Sequence, residues 1–152
     1  MAIYSYKTEQ FLPTTVQAAW DFFSSPNNLS RITPPQLQLK VLTKLGNEEI
    51  YEGMLIDYTV KPLLGLTFNW QTEIYKIKKL HHFTDHQLKG PYKLWEHTHT
   101  FIETEGGTMM YDEVYYQLPL GFLGNIAHAI LVRKKIESIF AFRKKVLDKI
   151  FI

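Results

Sequence analysis

Residues 66–75 read Leu66-Thr67-Phe68-Asn69-Trp70-Gln71-Thr72-Glu73-Ile74-Tyr75. Leu66, Phe68, Trp70, Thr72 and Ile74 fall on one side, and Thr67, Asn69, Gln71, Glu73 and Tyr75 on the other. A period of two is the signature of a strand with one face covered. The same period extends upstream. Met54, Ile56, Tyr58 and Val60 alternate with Leu55, Asp57, Thr59 and Lys61, and Leu37, Leu39 and Val41 alternate with Gln38 and Lys40. It continues to about residue 118, broken at Gly46-Asn47, Pro62-Leu63-Leu64-Gly65, Gly90-Pro91 and Gly106-Gly107. Successive strands joined by short breaker-rich turns predict an antiparallel meander.

The flanks change period. Residues 3–12 carry β-branched and aromatic side chains and predict a first strand, which Pro13 ends. Thr14 or Thr15 can cap a helix over 15–24, where Val16, Ala19, Trp20 and Phe23 recur at helical spacing. A helical turn over Leu29 to Ile32 follows, and Thr33-Pro34-Pro35 stops it. From Gly121 to Ile152 there is no proline, and Ile136, Ile139, Phe140, Phe142, Val146, Leu147 and Ile150 share one arc of a helical wheel. The expected architecture is α+β: a curved antiparallel sheet of about seven strands wrapped around a long C-terminal helix, with two short helices after strand 1. It forms one ligand-binding domain over 1–152.

Composition narrows the function. The chain has 152 residues, with 10 Phe, 9 Tyr and 3 Trp, a heavy aromatic load that needs a location. With no cysteine, a disulfide scaffold, thiolate metal sites and a cysteine nucleophile are excluded. No basic stretch followed by an apolar run opens the chain, and no apolar run approaches the ~20 residues of a membrane span. The expectation is a cytoplasmic protein without integral membrane association. Arg133, Lys134, Lys135, Arg143, Lys144, Lys145 and Lys149 outweigh Glu137 and Asp148 in the last helix, although the whole chain carries only +2. Such a face could meet a partner or an anionic surface; the plainer reading is a solvated helix face. The strand aromatics alternate with acids and amides, which argues against nucleic acid. Phosphate-loop, nucleophile-elbow and zinc-protease motifs are absent.

The order of elements and several motifs resemble the START and birch-pollen-allergen superfamily, also called SRPBCC, and within it a bacterial subgroup often labelled cell-division-inhibitor-like. The motifs are Trp20-Asp21-Phe22-Phe23-Ser24-Ser25-Pro26-Asn27-Asn28-Leu29, Ile32-Thr33-Pro34-Pro35, Phe83 to Tyr92, Trp95 to Phe101, Gly107 to Pro119 and Ile139-Phe140-Ala141-Phe142-Arg143. That label reflects a similar domain fused to an epimerase-like domain, and no epimerase-like segment is present here. The resemblance implies a helix-grip fold with a deep cavity for a lipid, polyketide, quinone or similar apolar molecule.

Within that frame, Tyr58, Phe68, Trp70, Trp95, Phe101 and Tyr116 are expected to line the cavity. Trp95, His97, His99 and Phe101 share one strand face, and Asp112, Val114 and Tyr116 share a face of the next strand. Three readings of His97, His99 and Asp112 stand side by side. They orient the polar end of a ligand. They satisfy one another as a buried network. Or they do chemistry, as a general acid–base pair of a cyclase or dehydratase, or as a His-x-His metal site. Arg143 falls inside the apolar arc of the last helix, so its guanidinium needs a partner: a ligand carboxylate or phosphate, Asp112 or Asp85, or solvent past the helix edge. Asp85 and Gln87 are expected to bond loop backbone beside Gly90-Pro91. His81, His82 and His86 are expected near a strand end and exposed. No catalytic residue, metal ligand or cofactor is assigned. Lys61 to Leu66 is a candidate gate, and Gly121 and Gly124 could shape the cavity mouth.

Overall fold

The computed structural model describes residues 2–61, 65–119 and 126–152, with backbone only for Ile126 to His128. Pro62 to Leu64 of the candidate gate Lys61 to Leu66, and Gly121 and Gly124, lie outside these residues. Seven strands form one antiparallel sheet: β1 (Tyr4–Leu12), β2 (Lys40–Val41), β3 (Met54–Val60), β4 (Phe68–Lys78), β5 (His82–Lys89), β6 (Leu94–Thr104) and β7 (Gly107–Gln117). Their order is β1-β7-β6-β5-β4-β3-β2, a meander closed on one side by the N-terminal strand. Among the described residues two helices complete it, α1 (Val16–Phe23) and α2 (Ile126–Ile150), with short 3₁₀ turns at Pro26–Ile32 and Pro35–Leu37. Among the described residues no helix is long and apolar enough to cross a membrane.

The alternation quoted above sets the sheet's orientation. In β4, Trp70, Thr72 and Ile74 are buried while Asn69 is exposed; in β3, Met54, Ile56, Tyr58 and Val60 are buried. Leu66 departs from the pattern, exposed and ahead of β4. The expected strand over 37–41 shrinks to two residues, because Pro34-Pro35 sets up a 3₁₀ turn and Gln38 then takes a left-handed φ of 46°. Leu37 is nevertheless buried.

Thr15 caps α1, its hydroxyl accepting from Ala18 N at 3.1 Å. That fixes the helix so that Ala19 and Trp20 point inward, with Trp20 edge-on to Phe83 and Phe101. On α2 the inward stripe is Val132, Ile136, Phe140, Arg143 and Leu147, at spacings of three and four. Burying each apolar side chain of such a stripe contributes roughly 1.5–3 kcal/mol, and it covers the same sheet face that receives Trp20. A cavity remains between these layers.

Candidate functional site

Three adjacent strands build the polar wall of that cavity. β6 carries His97 and His99 on its covered face, bracketed by Trp95 and Phe101. In register, Asp85 of β5 lies opposite His97, and Asp112 of β7 lies opposite His99. The hydrogen bonds run diagonally instead. His99 Nε2 meets Asp85 Oδ2 at 2.8 Å, and His97 Nε2 meets Asp112 Oδ1 at 2.7 Å. The imidazoles overlap with centroids 3.8 Å apart, and His99 also rests against the face of Phe83. His99 Nδ1 is 3.5 Å from Asp112 Oδ1 and has no hydrogen-bond partner. The result is two His–Asp pairs side by side.

Asp85 therefore does not bond loop backbone. The strand runs on to Lys89, four residues past Asp85, and its pleat turns Asp85 toward the histidines. Gln87 does hold the turn, its amide bonding both Tyr92 N and Tyr92 O. Gly90 makes this possible, since a Cβ there would overlap the Gln87 amide. His86 is half-buried within β5 and bonds Glu73 at 2.8 Å; His81 and His82, at the β4–β5 turn, are half-buried too. None of the three is exposed as expected.

Charge is distributed unevenly. Burial pushes the Asp112 carboxyl up, but the His97 hydrogen bond and the charges of His97, His99 and Arg143 outweigh it and leave it below its ordinary value. Asp85 follows the same balance, with His99 as its hydrogen-bond partner. Both carboxylates are ionised at neutral pH. Burial, helped by the charge of His97, holds His99 below the usual imidazole value. Burial lowers Arg143 and pushes the Tyr58 phenol far up, so the phenol keeps its proton.

The cavity has a volume of about 160 Å³. Of the residues named from sequence, Tyr58, Trp70, Trp95, His97, His99 and Arg143 face it. The other four do not line it. Asp112 holds His97; Phe101 packs on Trp20 and Phe23; Tyr116 packs against Tyr4, Tyr92 and Trp95; Phe68 is half-buried at the start of β4. Sequence reasoning did not assign Asp85, Thr72, Phe83, Tyr92 or the stretch from Phe22 to Thr33, which supplies much of the opposite wall, to the cavity lining. The alternation of β5 offered a signal for Phe83 and Asp85. For Tyr92, Gly90-Pro91 marks a turn that directs the ring against Trp70 and Trp95.

Asp85, His97 and His99 each offer a ligand atom, all within 4.8 Å of one another. Around one zinc at ~2.0–2.2 Å such atoms sit roughly 3–4 Å apart, and here two ring nitrogens are engaged by carboxylates. The arrangement as it stands is a hydrogen-bonded network. An imidazole oriented by a carboxylate can accept or give a proton, and the pairs face a cavity where a molecule could present one.

No family model matches the chain, and no curated protein matches it in sequence. Solved structures do. An aromatase/cyclase from Streptomyces superposes with a TM-score of 0.75 at 10% identity, covering 96% of this chain and 92% of that one. The major latex-like protein 151 of Panax ginseng gives 0.69 at 10% identity, covering 99% and 98%. A nucleoside-diphosphate sugar epimerase from Corynebacterium glutamicum gives 0.64 at 24% identity over 93% of this chain, but only 28% of that longer one. At these identities the likeness establishes the fold: the chain has the helix-grip, SRPBCC-type fold.

Proposed function

We propose that this chain binds a hydrophobic small molecule, a lipid, polyketide, quinone or similar compound, in the cavity between the sheet and α2. The observation that carries this reading is the cavity itself. About 160 Å³ is lined largely by Ile, Leu, Phe, Tyr and Trp, with Asp85, His97 and His99 on the sheet side and Arg143 on the α2 side. Ligand sites have that composition, and an apolar cavity of about 150 Å³ admits benzene. Tyr58, Trp70 and Trp95 would contact the apolar body, and His97, His99 and Arg143 its polar end. Phe68, Phe101, Asp112 and Tyr116 would support them from behind. Native mass spectrometry of the purified protein, together with titration of the neutral dye phenylnaphthylamine, tests this. The expected result is one small molecule or one dye per chain. A protein that carries nothing and binds no dye refutes the reading.

The paired histidines favour a second reading, an enzyme of the cyclase or dehydratase type with His97 as base and Asp112 orienting it. It predicts hydrogen–deuterium exchange at the acidic carbon of a bound β-diketone, read by NMR. The same exchange rate in His97→Gln refutes His97 as the base.

A further inference from the structure

The inward stripe of α2 contains one charge. Arg143 sits among Val132, Ile136, Phe140 and Leu147 with only 7% of its surface exposed. The chain's other two arginines are exposed and bonded. Arg133 donates to Ser5 O at 2.7 Å and to Glu137 at 3.1 Å, and Arg31 donates to Asn28. Arg143 is the least solvated arginine and the least satisfied. Its Nε is buried without a partner. Among the described residues, none of its nitrogens has a hydrogen bond or lies within 4 Å of a carboxylate oxygen. Its close neighbour is the Phe140 ring, 5.0 Å from Cζ.

Two carboxylates influence it from a distance, Asp112 and Asp85. Each is already engaged by an imidazole, at 2.7 and 2.8 Å. A guanidinium carries five N–H donors in a rigid fork, and leaving such a charge unpaired in a protein interior is costly. Arg143 is part of the cavity lining, so the missing partner can come from a molecule in the cavity.

We propose that Arg143 anchors the carboxylate of an amphipathic organic acid, whose apolar body fills the rest of the cavity. This rests on the cavity being a ligand site, as proposed above. The carboxylate is preferred on two grounds. Its two oxygens match the fork in a bidentate pair. It also brings a single negative charge, whereas a phosphate monoester would bring up to two into a wall that already holds Asp85 and Asp112. A neutral hydroxyl would accept hydrogen bonds but leave the charge uncompensated.

Displacement of phenylnaphthylamine at neutral pH by decanoate, decanol and decyl phosphate tests the assignment. The tail is constant and the head varies. Wild type is expected to bind decanoate at least about tenfold more tightly than decanol, since charge-assisted hydrogen bonds are roughly twice as strong as neutral ones. Decyl phosphate should bind less tightly than decanoate. In Arg143→Met the decanoate-to-decanol ratio should collapse toward one, and Arg143→Lys, which keeps the charge but not the fork, should restore part of it. Equal binding of decanoate and decanol by wild type overturns the anchor and leaves the cavity reading standing. Tighter binding of decyl phosphate overturns the carboxylate assignment. Failure to bind dye, acid and alcohol alike removes the cavity reading itself. The wild-type comparison decides the matter even if Arg143→Met does not fold.

Discussion

Ile139→Trp places an indole on the α2 wall of the cavity, where Ile139 is half-buried and faces the void. A cavity of about 160 Å³ carries a cost that scales at about 24 cal/mol per Å³, or at most about 4 kcal/mol for the whole volume. Filling about a third of it would return roughly 1 kcal/mol, which in a domain of this length raises Tm by about 2–4 °C. The same substitution takes the space a ligand needs, so phenylnaphthylamine affinity should fall by at least about tenfold, equivalent to roughly 1.4 kcal/mol. Stability and binding are therefore expected to move in opposite directions. Thermal melts and dye titration on one preparation read both. Leu88→Trp, at an exposed position of β5 outside the cavity, is the control and should change neither. A lower Tm with unchanged dye binding would refute the reasoning, because it would mean that the indole met packed side chains instead of a void.

Stability should also fall in acid. Asp85 and Asp112 sit below the ordinary carboxylate value when folded, so their contribution is complete above about pH 5 and drains away as pH drops through the depressed folded values. His99, lowered by burial, takes its proton in the unfolded chain first and so adds to the loss from about pH 6.5 downward. Asp112→Asn should flatten the acid limb of Tm against pH, and a limb as steep as wild type contradicts the assignment. Thr15→Ala removes the cap on α1 and should cost about 1 kcal/mol in urea unfolding; no change would show that water replaces the hydroxyl. Gly107→Ala sets a Cβ against the Leu12 carbonyl oxygen and the Phe11 ring where β1 meets β7, and overpacking there should cost about 1–3 kcal/mol. A neutral outcome would mean that the strand ends shift freely.

The strands were legible because covered-face residues repeat every second position, and that rule holds in β3 and in β4 from Phe68 to Ile74. It failed over 37–41, where Pro34-Pro35 and the left-handed Gln38 override an apolar alternation. The shared face of His97 and His99 was legible for the same local reason. Asp112 was legible as a partner from the facing strand, but Asp85 was not. Which residue lies across from His97 depends on the register of β5 against β6, and the diagonal reach to Asp85 and Asp112 depends on side-chain geometry added to that register. Proximity to Gly90-Pro91 suggested a loop role for Asp85, yet the strand continues past it. On α2 the wheel exposed the anomaly at Arg143 but not its outcome, because whether a charge is paired is a three-dimensional property. The cavity was not legible in any single segment, since a void is what remains after every layer has packed.

The site holds Asp85, Asp112, His97 and His99 on the sheet and Arg143 on α2 against hydrocarbon, and a cluster with only a structural duty has less costly solutions. Replacing a buried ionic cluster with apolar side chains of similar volume is often neutral or stabilising. If the cluster served packing alone, the least costly arrangement would also join one carboxylate to Arg143, because an orphaned guanidinium costs more than a neutral imidazole that lacks one bond. The fold does the reverse. Both carboxylates bond imidazoles, and the guanidinium is left open beside the void. The site is thus half closed: each carboxylate is bonded to an imidazole, while His99 Nδ1 and Arg143 Nε have no partner. A molecule with an apolar body and one carboxylate would complete both halves at once, covering the aromatic walls and supplying the hydrogen-bonding partner at Arg143 that the chain leaves out.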